Sequence, residues 1–180
     1  GMYMSGRRTK VRDVCLHCLR LAQIDPLYRA GKSNAWLGVS DEEDISDLCS
    51  LLKLFSSQFW LRKKRVVLLN PAFGDASLLV GGADADLVLD DMLVDIKCTK
   101  HRALTGEMFH QLVGYYLLSR MGRIDGAPKN HRIRTLAVYF ARHGELVSIP
   151  VEDVLPDSKL PATIRWFERL ARKPRELDCF

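Results

Sequence analysis

The chain has 180 residues, 47% of them hydrophobic and 27% charged, with a mean hydropathy of −0.07. That is enough for one compact α/β domain and short for two, and it excludes disorder across most of the length. A net charge of +5 and an isoelectric point near 9.0 suit a polyanionic partner without requiring one; no stretch approaches the roughly 18 apolar residues of a membrane helix, so a cytoplasmic protein is expected.

Residues 1–10, rich in Gly, Arg, Ser and Lys, are expected to form a disordered basic arm, with one domain over residues 11–180. A helix fits Val11 to about Gln23 and stops before Asp25-Pro26. Within it Cys15 and Cys18 lie one turn apart and join Val11, Val14, Leu19 and Ala22 as apolar positions. A zinc site built on this CxxC would need further ligands, and only single residues such as His17, Cys49 or Cys98 offer themselves. With Cys179, the five cysteines form an odd set without a secretion signal, which points to reduced thiols.

Arg29–Gly38 reads as a loop. Ser40 and Glu43 form a capping box that opens a helix with apolar residues at Ile45, Leu48, Cys49, Leu52, Phe55 and Phe59. The basic run Arg62-Lys63-Lys64-Arg65 precedes a strand at Val66–Leu69. Ser77–Val80 and Ala83–Leu89 read as one strand interrupted at Gly81-Gly82, with Met92–Cys98 as its hairpin partner. Thr105 caps a helix running through Glu107 to about Met121. Leu136–Ala141 and Glu145–Ile149 are strands joined at His143-Gly144, and Pro161–Lys173 is a closing helix with a basic face. The order α, α, β, β-hairpin, α, β, β, α implies a mixed sheet flanked by helices in a single domain.

The chemistry concentrates in the hairpin. With Asp90-Asp91 as its turn, Leu89 pairs with Met92, Leu87 with Val94, Asp86 with Asp95 and Asp84 with Lys97. Side chains alternate along a strand, so Asp84, Asp86, Asp95 and Lys97 gather on one side, while Leu87, Leu89, Met92, Val94 and Ile96 face the other. Opposed carboxylates repel, and a divalent cation removes that cost. Hard oxygen ligands suit Mg²⁺ or Mn²⁺ better than Zn²⁺. Lys97 can then orient or deprotonate an attacking water and offset charge on a phosphate. The bland alternative is a solvated face of an amphipathic hairpin; convergence of the acidic pair opposite a uniformly apolar face weighs against it.

Asp86 followed nine residues later by Asp95-Ile96-Lys97 resembles the signature of the PD-(D/E)XK nuclease superfamily, and Gln111-Leu-Val-Gly-Tyr115 resembles the QxxxY motif of its RecB-like exonuclease branch. The likeness implies a restriction-endonuclease-like mixed sheet flanked by helices. It further implies that Asp86, Asp95 and the backbone carbonyl of Ile96 bind metal, that Lys97 acts in catalysis, and that Gln111 and Tyr115 line the site. The i, i+4 spacing independently puts Gln111 and Tyr115 on one helical face. No proline precedes Asp84 or Asp86, which leaves the principal ligand open between them; Asp86 is favoured because it faces Asp95. Glu42, Glu43 and Asp47 are candidate further ligands from the preceding helix. Some exonucleases of this group hold an iron–sulfur cluster with one early and three late cysteines, and Cys179 alone does not match that pattern.

The expected function is hydrolysis of nucleic-acid phosphodiester bonds, with nucleic acid the default substrate, DNA the expected kind with RNA left open, and Mg²⁺ or Mn²⁺ the cofactor. Arg62–Arg65 and the face carrying Arg165, Arg169, Arg172 and Lys173 are candidate phosphate contacts. A homodimer or a partner subunit would help to grip the substrate. The competing expectation is an inactive module of the same fold that binds nucleic acid or a protein.

Overall fold

The computed structural model describes residues 10–24 and 40–172, which divide into two compact units, Gly1–Gln58 and Phe59–Phe180. The expected basic arm except Lys10, the Arg29–Gly38 loop, Lys173 and Cys179 lie outside the described residues. Among the described residues no helix is long and apolar enough to cross a membrane.

The first unit holds α1 (Val11–Ala22) and α2 (Glu42–Ser56). The residue that caps α2 is Asp41 and not Ser40: its side chain accepts from Glu43 N at 3.1 Å. Aspartate is at least as good a cap as serine, and here it stands one residue closer to the apolar run. Cys15 is buried beside Cys49, and burial pushes its thiol up to about 11. Cys18 is exposed, so only one member of the CxxC serves the packing expected of both. Arg12 and Glu42 form an ion pair between the two helices.

The second unit is a five-stranded mixed sheet flanked by helices, as its element order implies. Its strands are β1 (Val67–Leu69), β2 (Leu87–Leu89), β3 (Met92–Lys97), β4 (Thr135–Phe140) and β5 (Glu145–Pro150), in spatial order β1-β2-β3-β4-β5. The β3–β4 pair is parallel and every other pair antiparallel. Parallel neighbours need a crossover, which α3 (Gly106–Met121) supplies. A short α4 (Val151–Val154) and α5 (Leu160–Ala171) follow β5.

The hairpin takes the register that alternation requires, Leu89 opposite Met92 and Leu87 opposite Val94. Asp90 adopts φ +50°, tolerable for aspartate, and its Oδ1 accepts from Arg65 N at 2.9 Å and Val66 N at 3.0 Å. These backbone N–H groups hold the Asp90 carboxyl below its ordinary range, Val66 first and Arg65 next.

The stretch before the hairpin differs from expectation. Gly74–Val80 is a 3-10 helix, and only Leu87–Leu89 of the expected strand is regular. Ser77 explains the departure: its buried hydroxyl accepts from Phe73 N at 2.8 Å and donates to Ala83 O at 2.7 Å, replacing the bonds a ladder would make. Gly81 ends the helix in the left-handed conformation at φ +82°.

Both faces of the central strands are buried. Val88, Leu93, Leu136, Val138 and Phe140 pack in the main core with Leu112, Tyr116 and Leu117 of α3. On the reverse face Leu87, Leu89, Val94, Ala137 and Tyr139 are equally buried, Tyr139 with Trp60 edge-on at 5.2 Å. Fully burying a side chain of this size contributes about 1.5–3 kcal/mol. The hairpin is therefore not polar on one side and apolar on the other: its acidic residues share their face with the principal core.

Thr105 caps α3, accepting from Met108 N at 3.3 Å, with Glu107 in the first turn and Arg120 in the last. The helix stops at Gly122, where a Cβ would come within 2.1 Å of Phe73 O. This close approach seats the end of α3 on the Phe73 backbone.

Candidate active site

The site forms where β2 and β3 part. Beyond Leu87 the Ala85 N–H donates to Pro71 O at 3.1 Å and Asn70 N donates to Asp86 O at 3.1 Å, so this segment pairs toward β1. Asp84 makes an isolated bridge with Ala72 and does not pair with Lys97 as the extended hairpin register would have it. The ladder bond that β3 loses is replaced by a side chain: Ile96 N donates to Asp86 Oδ2 at 2.6 Å.

On the other edge of β3, Lys97 O accepts from Ala141 N at 2.9 Å. Successive residues of a strand face opposite edges, so the Ile96 carbonyl points with its N–H toward the Asp86 gap. The carbonyl implied as a metal ligand thus faces the same opening as the Asp86 carboxylate.

Asp95 is 2% exposed and forms an ion pair with Lys97, Nζ to Oδ2 at 2.8 Å. Lys97 Nζ also donates to Gln111 Oε1 at 2.9 Å, and Gln111 Nε2 donates to Tyr115 OH at 2.7 Å. The Tyr115 ring lies against Phe73, centroids 5.7 Å apart. Asp86, Asp95, Lys97, Gln111 and Tyr115 are thereby assembled within one β–α unit.

Burial raises the Asp95 carboxyl above its ordinary range; hydrogen bonding and charge from Lys97 oppose this, while the charge of Asp86 adds to it. Burial likewise raises the Tyr115 phenol, opposed by the Gln111 hydrogen bond and reinforced by the charges of Asp95, Asp86 and Asp84. Burial and the three carboxylate charges together keep Tyr115 a neutral phenol. Asp84 is exposed.

Among the described residues no cluster of three or more His, Cys, Asp or Glu side chains could hold a metal. The donors present are two carboxylates and a backbone carbonyl, one carboxylate buried and electrostatically strained beside the other. That set fits Mg²⁺ or Mn²⁺, which keep several waters and take one or two carboxylates, and it lacks the soft ligands of a zinc site. Glu42, Glu43 and Asp47 lie on α2 of the first unit.

The basic run Arg62–Arg65 is not at the carboxylates. Lys64 pairs with Asp90 at 3.6 Å, and Arg65 N bonds the same residue, which places the run at the hairpin turn. Four residues of strand separate Asp90 from Asp86, about 13 Å. Arg165, Arg169 and Arg172 are exposed on or just beyond α5. Phe73 and Ser77 escaped the sequence reading because neither belongs to a motif. Their neighbours Gly74 and Gly81, both at positive φ, are the residues that signalled an irregular backbone there.

Comparison with family models, with curated proteins and with solved structures finds no match to this chain.

Proposed function

We propose that the second unit is a metal-dependent phosphodiesterase of the PD-(D/E)XK type, a nuclease with Asp86, Asp95, the Ile96 carbonyl, Lys97, Gln111 and Tyr115 as its site. The observation that carries this reading is the connected chain Asp95–Lys97–Gln111–Tyr115, set beside an Asp86 carboxylate held by the Ile96 N–H. A buried carboxylate next to a second one costs stability, and carboxylates perturbed by burial and a like charge cluster at functional sites.

Asp86, Asp95 and the Ile96 carbonyl would hold the cation, which when bound supplies Lewis-acid charge to a water and a phosphate oxygen. The remaining work belongs to the chain. The Ile96 N–H fixes the orientation of the Asp86 carboxylate. An ammonium has three donors; Lys97 spends one on Asp95 and one on Gln111. The third orients the attacking water and offsets charge developing on the phosphate. Gln111 and Tyr115 hold the ammonium in place, and partial burial excludes bulk water from the Asp95 side.

The test is cleavage of labelled single- and double-stranded DNA and RNA with Mg²⁺ or Mn²⁺. Cleavage should require metal and disappear in Asp95→Asn and Lys97→Ala. Silence on every substrate, with no metal binding by calorimetry, would overturn the reading.

A further inference from the structure

At the other end of α3 from Gln111 lies a cleft of about 630 Å³ whose lining includes Arg120, Arg132, Arg134 and Tyr116 together with Glu152 and Asp157. Arg120 stacks over the Tyr116 ring, 6.0 Å to its centroid, and donates to the Tyr116 hydroxyl at 3.4 Å. Arg132 and Arg134 are exposed, and neither takes part in an ion pair among the described residues although two carboxylates share the cleft. Three guanidiniums against two carboxylates leave the cleft cationic.

The same end of the sheet carries the basic run. Arg134 N donates to Asp91 O at 2.8 Å, one residue from the Asp90 that anchors Arg65 and Lys64. The Asp90-Asp91 turn thus brings Arg62–Arg65 and Arg132–Arg134, far apart in sequence, to a single edge. Along the strand register, Asp95 stands opposite Val138, four residues from Arg134, or about 13 Å. Along α3, Gln111 to Arg120 is nine residues, again about 13 Å.

We infer that this cleft is a phosphate-binding site for the backbone of a nucleic acid, engaging it about 13 Å from the carboxylates, the rise of roughly four base pairs. The assignment of the polymer rests on the nuclease reading; the cationic character of the cleft does not. Guanidiniums grip phosphate bidentately, which suits a fixed contact that sets where the chain lies relative to Lys97.

The test measures binding of a fluorescein-labelled oligonucleotide by anisotropy, in EDTA, from 50 to 200 mM salt. The variants are Arg132→Gln/Arg134→Gln and, as a control, Arg20→Gln/Lys53→Gln, two exposed cations on the helices of the first unit. Loss of two phosphate contacts lowers the slope of log K against log salt by about 1.8 for duplex or 1.4 for single strand. That reduction is expected in the first variant and not in the second, with both melting as wild type does. An unchanged slope in the first variant overturns the inference. Saturable binding of inorganic phosphate without oligonucleotide binding assigns the cleft to a small anion and overturns the polymer assignment. A protein that shows the reduced slope but cleaves nothing keeps the cleft and loses the nuclease; one that cleaves with an unchanged slope does the reverse.

Discussion

The Ile96 N–H donates to the Asp86 carboxylate at 2.6 Å, a side chain standing where a strand would have offered a carbonyl. One residue thus serves both the sheet and the site, and two substitutions separate the roles. Asp86→Ala should orphan the N–H and destabilise the protein by about 1–3 kcal/mol. Asp86→Asn retains an acceptor and should melt within a few degrees of wild type, while metal-dependent cleavage is lost in both. Equal melting of the two variants would refute the structural role.

Asp95 should govern the pH dependence of stability. Its folded-state carboxyl is raised, so the native chain keeps a proton over a range in which the unfolded chain has released it. Stability is then greatest at low pH on this account and is lost as pH rises through the folded-state value. Asp95→Asn removes that loss, so its stability should fall less than that of wild type as pH rises from 4 to 8 in EDTA, measured by denaturant unfolding. Saturating Mg²⁺, about 100-fold above its dissociation constant, should stabilise wild type by roughly 2.7 kcal/mol and leave Asp95→Asn unmoved.

Lys97→Met removes the partner of a buried carboxylate. Because the Lys97 side chain is 25% exposed, the penalty should be held to about 2 kcal/mol. The turnover rate should fall about 10²- to 10⁴-fold. Single-turnover kinetics at saturating Mg²⁺ check this, and a variant cutting at the wild-type rate would remove Lys97 from the chemistry.

Tyr115→Phe deletes the oxygen that accepts from Gln111 Nε2 and frees the amide that steadies Lys97. A lost hydrogen bond of about 1 kcal/mol predicts a five- to tenfold drop in kcat with KM unchanged. A change confined to KM would instead place Tyr115 in substrate binding.

Ser77→Ala should cost about 2 kcal/mol, since it orphans both Phe73 N and Ala83 O. Thermal unfolding measures it. Phe73 packs on Tyr115, so slower cleavage is expected as well.

The difference between Ser77 and the hairpin explains what the sequence disclosed. The pairing of Leu87 with Val94 was legible because a one-residue slip would have exchanged whole faces, so alternation leaves one register. Gln111 and Tyr115 were legible for the same kind of reason, a helical spacing of four. Ser77–Val80 has the composition of a strand, and what bends it is one hydroxyl with two backbone partners, which no periodicity records. Asp84 was placed opposite Lys97 by extending a ladder that ends earlier, where Pro71 O takes the Ala85 N–H. Alternation also says which residues share a face but not that α3 would cover it, so the acidic face was expected to be separate from the core and is part of it.

The Lys97–Gln111–Tyr115 chain has a polarity. An ammonium can only donate, so the amide must turn its oxygen to Lys97 and its nitrogen to Tyr115, and the phenol oxygen must accept. With its lone pair so engaged, the phenol hydroxyl has its own proton left to offer, and the charges around it are those of Asp84, Asp86 and Asp95. Every donor in the chain is thereby oriented by its neighbour, outward from a lysine that never accepts while it is charged. The direction of every hydrogen bond in the row is thus set from the end that has no lone pair to give.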